Sequence, residues 1–120
     1  MWIATKSGYL SIVRNSNPDC PAAEEMLVRS RVREDLEYFA GYASSSAHYL
    51  VVRCTPEADY PYRLFCSRSA VARFLASQAD EITYENFKSE IAKTDRPRAL
   101  VYTRVWAALH GLTPSRSVPE

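Results

Sequence analysis

The stretch Tyr49–Ser69, YLVVRCTPEADYPYRLFCSRS, decides how this chain folds. Two runs of β-branched and aromatic residues, Tyr49–Cys54 and Tyr62–Cys66, flank a polar loop with Pro56 and Pro61. Such runs favour strands, and the prolines between them mark a turn. Ser67 and Ser69 follow at once and suit a helix start. The stretch therefore predicts a hairpin that feeds a helix. With Cys54 opposite Tyr62, the two-residue period puts Leu50, Val52, Cys54, Tyr62, Leu64 and Cys66 on one face. Arg53, Arg63 and Phe65 fall on the other. Cys66 then faces Leu50 rather than Cys54, so the two thiols are not placed to bridge and read as small buried apolar residues.

Toward the N-terminus, Trp2–Thr5 and Tyr9–Val13 flank Lys6-Ser7-Gly8, a turn in which glycine is free to take a positive φ. An opening hairpin is predicted. NSNPDCPAAEE, residues 15–25, has the composition of a surface loop. Met26–Arg29 reads as a third strand. Ser30 can cap a helix whose stripe is Val32, Leu36, Phe39 and Ala40, with Gly41 as its stop. Toward the C-terminus, Val71, Phe74, Leu75 and Gln78 make the stripe of the helix after Ser67. Thr83 reads as the next N-cap, with Ile82 and Phe87 as a hydrophobic staple and Ile91 continuing the face. Asp95 caps a last helix that tolerates Pro97 in its first turn. Along it Val101, Val105, Ala108 and Leu112 lie beside Tyr102, Trp106 and Leu109. Two adjacent stripes imply a helix wrapped by neighbours over a wide arc, or one that faces a partner. Gly111 and Pro114 end it.

The predicted order is βββαββααα. It implies an α+β fold, a single antiparallel or mixed sheet of about five strands with helices packed on one face. Residues 1–112 form one domain in this reading, and residues 113–120 a flexible tail.

Composition narrows the functional classes. A chain of 120 residues, 47% apolar, has material for one real core. Its 15 basic and 14 acidic residues leave a net charge of +1, against a binder held mainly by nucleic-acid phosphates. No run reaches membrane-spanning length and the start lacks a leader pattern, so a soluble, cytoplasmic protein is expected. Cys20, Cys54 and Cys66 are odd in number and lack C-x-x-C spacing, which argues against a disulfide framework. His48 and His110 have no cysteine or acid at metal-ligand spacing, so neither metal nor cofactor is expected. Eight tyrosines and two tryptophans suit either a small core or a binding surface.

Several phrases recur together: the opening M-W-x-x-T-x-x-G-Y-x-S-I-V, M-L-V-R-S-R-V-R-E-D-L-E, the loop A-D-Y-P-Y-R of residues 58–63, Y-E-N-F-K-S-E-I-A of residues 84–92, and Val105-Trp106. In them the chain resembles a family of short, uncharacterised bacterial proteins. The resemblance covers most of the chain, implies one intact domain and supplies no reaction.

Tyr60, Pro61, Tyr62 and Arg63 combine phenols and a guanidinium on a stiff loop, which favours recognition. The ordinary structural alternative is a proline turn in which Asp59 pairs with Arg63. Asn86, Lys88 and Glu90 share a predicted helix, where a solvated amphipathic face explains them as well as an electrophile and a base would. Arg29, Arg31 and Arg33 could clamp an anion, yet Glu34, Asp35 and Glu37 beside them suggest a mixed-charge surface. His48 lacks a nucleophile, and His110 suits a helix C-terminus. With no nucleophile–base set and no glycine-rich phosphate loop, the residues point away from an enzyme. They suggest a protein-binding or regulatory module with an aromatic and arginine surface, using Tyr60, Tyr62, Arg63, Asn86 and Lys88. Its partner is another protein, with a homodimer open, rather than nucleic acid or membrane. The alternative is a small enzyme or ligand-binding domain with Arg63, Lys88, His48 and Cys54 around a pocket.

Overall fold

Period-two patterning in the first two-thirds of the chain builds an antiparallel sheet of five strands in the order β1-β2-β3-β5-β4. The computed structural model of the protein describes residues 1–46 and 49–114. The strands are β1 (Trp2–Thr5), β2 (Gly8–Arg14), β3 (Met26–Ser30), β4 (Arg53–Cys54) and β5 (Tyr62–Cys66). Between β3 and β4 lies α1 (Arg33–Ala43), and α2 (Arg68–Asp80) follows β5. The sequence order predicted for an α+β fold is the one observed. The described chain parts into two compact units, Met1–Thr83 and a second that begins at Tyr84.

In the first unit, Leu10, Ile12, Val28, Leu64 and Cys66 share one face of the sheet, as the pairings Ile12↔Val28 and Val28↔Leu64 require. They bury against Leu36, Phe39 and Ala43 of α1 and Ala70, Val71 and Phe74 of α2. The rings of Phe39 and Phe74 meet at 4.7 Å at its centre. Ser67 caps α2 by accepting from the Ala70 N–H at 3.1 Å.

Several local expectations change. Gly8 does not take a positive φ; it is paired with Thr5 inside the hairpin ladder. Val32, not Ser30, is the N-cap residue of α1, and the Ser30 hydroxyl donates to the Val32 carbonyl at 2.6 Å. Glu34 and Asp35 supply the negative charge that the first turn favours. Gly41 does not stop α1, which continues to Ala43. Only Arg53–Cys54 of the run from Tyr49 pairs as strand, so Cys66 has Met26, not Leu50, beside it. The predicted Cys54↔Tyr62 pairing is present, but Cys54 is exposed while Cys66 is buried. Cys54 lies on a two-residue strand at the edge of the sheet.

In the second unit, α3 (Phe87–Ala92) packs on α4 (Arg96–Ala108), and a 3-10 turn, Leu109–Leu112, follows. Ile91 is fully buried, and Phe87 stacks on Tyr102 at 5.6 Å. The Thr83 cap and its staple do not form. Asn86 is the N-cap, accepting from the Ser89 N–H at 2.9 Å, and Ile82 is exposed. An asparagine three residues later outcompeted the threonine because its carboxamide oxygen closes the same ring with a better acceptor. Asp95 caps α4 as expected, accepting from the Arg98 N–H at 3.1 Å with Pro97 in the first turn. α4 is not wrapped over a wide arc: Ala99 and Tyr102 are its buried residues, whereas Val101, Val105, Trp106 and Leu109 are exposed. The tail expected over residues 113–120 lies, from residue 115, outside the described residues. Among the described residues no helix is long and apolar enough to cross a membrane.

Candidate functional site

The sheet face opposite α1 and α2 is where the recognition residues gather. Strand register aligns one residue from every strand across it. Trp2 pairs with Ser11, Ser11 with Arg29, Arg29 with Arg63, and Arg63 with Arg53. Directly opposed residues share a face, so these five side chains form a transverse row. A second row, Val13, Leu27 and Phe65, runs beside it and is apolar.

The β4–β5 loop folds back over this face. The Thr55 N–H donates to the Pro61 carbonyl at 2.7 Å and the Ala58 N–H to the Thr55 carbonyl at 3.0 Å, closing the turn. Tyr60 is thereby buried, 8% exposed, rather than held out as a protruding anchor. The guanidinium carbons of Arg29 and Arg31 lie 4.9 Å and 4.8 Å from its ring centre. Cation–π contact of this kind holds an arginine in place without consuming its hydrogen-bond donors. Asp59 pairs with Arg31 at 3.3 Å, not with Arg63. Arg63 instead reaches the Tyr60 carbonyl with Nη2 at 3.5 Å.

At the other end of the row Trp2 is 74% exposed and meets Tyr9 at 6.5 Å. The Tyr9 phenol titrates above its ordinary value, chiefly through burial and then through the neighbouring Tyr60 phenol, with Arg31 opposing both.

The residues proposed from sequence divide three ways. Tyr60 and Arg63 come together on this face. Tyr62 projects from the opposite side of β5, where it packs on the core beneath the Arg33 guanidinium, 4.9 Å from its ring centre. Asn86 and Lys88 belong to the second unit. There Asn86 is committed to capping α3, and Lys88 Nζ lies 3.7 Å from the centre of the Trp106 ring, which His110 meets edge-on at 4.6 Å. Of the three alternating arginines, Arg29 and Arg31 serve the aromatic face and Arg33 does not. Asp35, which follows them in the sequence, is buried and accepts from the Tyr9 N–H at 3.0 Å.

Arg53 shares the face of Arg63 as the hairpin register predicted, whereas Trp2 and Ser11 were not singled out as site residues. Only the strand register signals them, since each is one alternating position among many.

An open cleft of about 850 Å³ lies beside β5, lined by residues that include Leu50, Arg53, Phe65, Arg68 and Arg73. Two of its cations are engaged within the protein: Arg68 with Glu25 at 3.8 Å, and Arg73 donating to the Ala43 carbonyl at 2.7 Å. Neither Arg63, Lys88 nor Cys54 lines it, and His48 lies outside the described residues. Among the described residues no trio of His, Cys, Asp or Glu is placed to hold a metal.

No family model, curated protein or solved structure matches this chain.

Proposed function

We propose that this protein is a non-enzymatic protein-binding module that docks its partner on the sheet face opposite α1 and α2. The observation that carries the reading is the transverse row, in which an exposed tryptophan and three arginines are aligned on one face by strand register. Tryptophan, tyrosine and arginine dominate the energetic centres of protein interfaces, because they combine large contact area with directional donors. The sheet fixes the backbone positions from which the row projects, which lowers the entropy lost on docking. The location that suits this reading is the cytoplasm, where three free thiols remain reduced.

Affinity capture from the native host, run in parallel with the parent and a Trp2→Ala/Arg31→Ala variant, tests it. Both residues are exposed, so the variant keeps its melting curve. The expected result is a protein enriched by the parent and lost from the variant. Identical captures with both baits would remove the face from consideration.

A further inference from the structure

Arg63 stands between two other arginines, with Arg29 opposite it on β3 and Arg53 opposite it on β4. Neighbouring strands lie about 4.8 Å apart, so the three side chains start within a span of roughly 10 Å. Like charges placed directly opposite destabilise a sheet, and carboxylates are normally interspersed to relieve them. None of the strand positions on this face holds an aspartate or glutamate. The arrangement is not a by-product of a basic chain, since 15 basic residues are balanced by 14 acidic ones. Positive charge has been concentrated here.

The donors of the row are also incompletely used. Arg29 Nη2 donates to the Ser11 hydroxyl at 2.9 Å, and Arg63 Nη2 reaches the Tyr60 carbonyl only at 3.5 Å. The Nε atoms of both arginines are buried and have no hydrogen-bond partner. A buried N–H without an acceptor has given up its water for nothing. An ionised acceptor that brought two oxygens to each guanidinium would recover that loss and screen the arginines from each other.

Resting on the docking reading above, the geometry points to a carboxylate-binding site at Arg29 and Arg63, with Arg53 at its outer edge, that takes aspartate or glutamate side chains from an acidic segment of the partner protein. The flanking residues select a protein segment. The apolar row Val13, Leu27 and Phe65 runs alongside the arginines, and Trp2 closes one end. The matching ligand carries apolar groups next to its carboxylates, as a polypeptide does and a phosphate chain does not. Because each Nε lies below the accessible surface, an entering carboxylate meets the Nη groups first. The fork closes on it as the guanidinium tips outward on its unbranched stem.

Arginine Nε–Hε resonances of the full chain report this directly. The probes are capped hexaglutamate peptide, sodium acetate, inorganic phosphate and oligothymidylate, each at matched ionic strength. Saturable shifts of the Arg29 and Arg63 Nε–Hε signals with the peptide, at far lower concentration than with acetate, are expected. Arg29→Lys keeps the charge and removes the fork, and should weaken peptide binding at least tenfold. Should that variant fail to fold, Arg53→Lys at the exposed edge is expected to weaken binding severalfold. Absence of peptide-induced shifts, or oligothymidylate or phosphate acting at lower concentration than the peptide, would overturn the carboxylate assignment. The docking reading is judged separately by the Trp2→Ala/Arg31→Ala capture, so failure of one does not disguise failure of the other.

Discussion

Gly8 and Asp35 approach so closely that a Cβ at position 8 would lie 2.7 Å from the Asp35 Cβ and 3.0 Å from its Cα. Glycine is required there by contact, not by backbone conformation. The same contact brings the Asp35 carboxylate to the Tyr9 N–H and locks the start of β2 against α1. Gly8→Ala has no flexible neighbour to displace, because backbone is among the obstructing atoms. It should cost about 1–3 kcal/mol, the usual range for overpacking. Chemical denaturation checks this, and an unchanged midpoint would show that α1 shifts freely.

The ring pair at the centre of the first unit should be the most sensitive point of its core. Phe39 and Phe74 are both essentially inaccessible and join α1 to α2. Phe74→Ala should destabilise by about 3–5 kcal/mol. An effect below about 1 kcal/mol in denaturant melts would mean that α2 does not form this contact.

Two serine and threonine positions that look alike in sequence should behave differently. Ser67 accepts from the Ala70 N–H, so Ser67→Ala should lose about 1 kcal/mol. Thr83 is exposed and caps no helix, so Thr83→Ala should stay within about 0.5 kcal/mol. Equal losses in paired thermal melts would restore Thr83 as a cap.

Cys54 and Cys66 should separate by reactivity. Cys54 is exposed and should react with a disulfide reagent in the native state, whereas Cys66 should react only on unfolding. Burial pushes the Cys66 thiol from 9.0 up to about 11, with Arg73 opposing. The folded state therefore holds the proton more tightly than the unfolded state between those values. By linkage, stability falls as pH rises from about 9 to about 11, and is not reduced on this account below that window. Cys66→Ala should flatten this part of the stability profile, as measured by denaturation at each pH.

Acid should act on the second unit at Asp95. Its carboxyl titrates below the ordinary value, first through the Arg98 backbone N–H and then through the Arg98 side chain. A depressed folded pKa means the stabilisation is present at neutral pH and is lost as pH falls through that folded value. The Arg98 amide resonance should titrate with it. Insensitivity of that amide to acid would show that the cap is not formed in solution.

The strands, the helix order and the core were legible in the residues, because burial on one face writes a period of two or 3.6 directly into a sequence. Leu64 and Cys66, Phe74 and Val71, and the Asp95 cap all followed from local spacing. Cap choice was less legible: Ser30 and Val32, or Thr83 and Asn86, compete over a few residues, and packing decides between them. The binding face was scarcely visible. Trp2 and Arg63 stand 61 positions apart in the chain, and beyond the hairpin that sets Arg53 beside Arg63 nothing local links the row. Strand order and register brought them into one row, and the return of the β4–β5 loop laid Tyr60 beneath two arginines. Local sequence determined what each segment is. Only the long-range hydrogen bonds of the sheet decided which charges stand side by side, since pairing between distant strands depends on the whole core they bury.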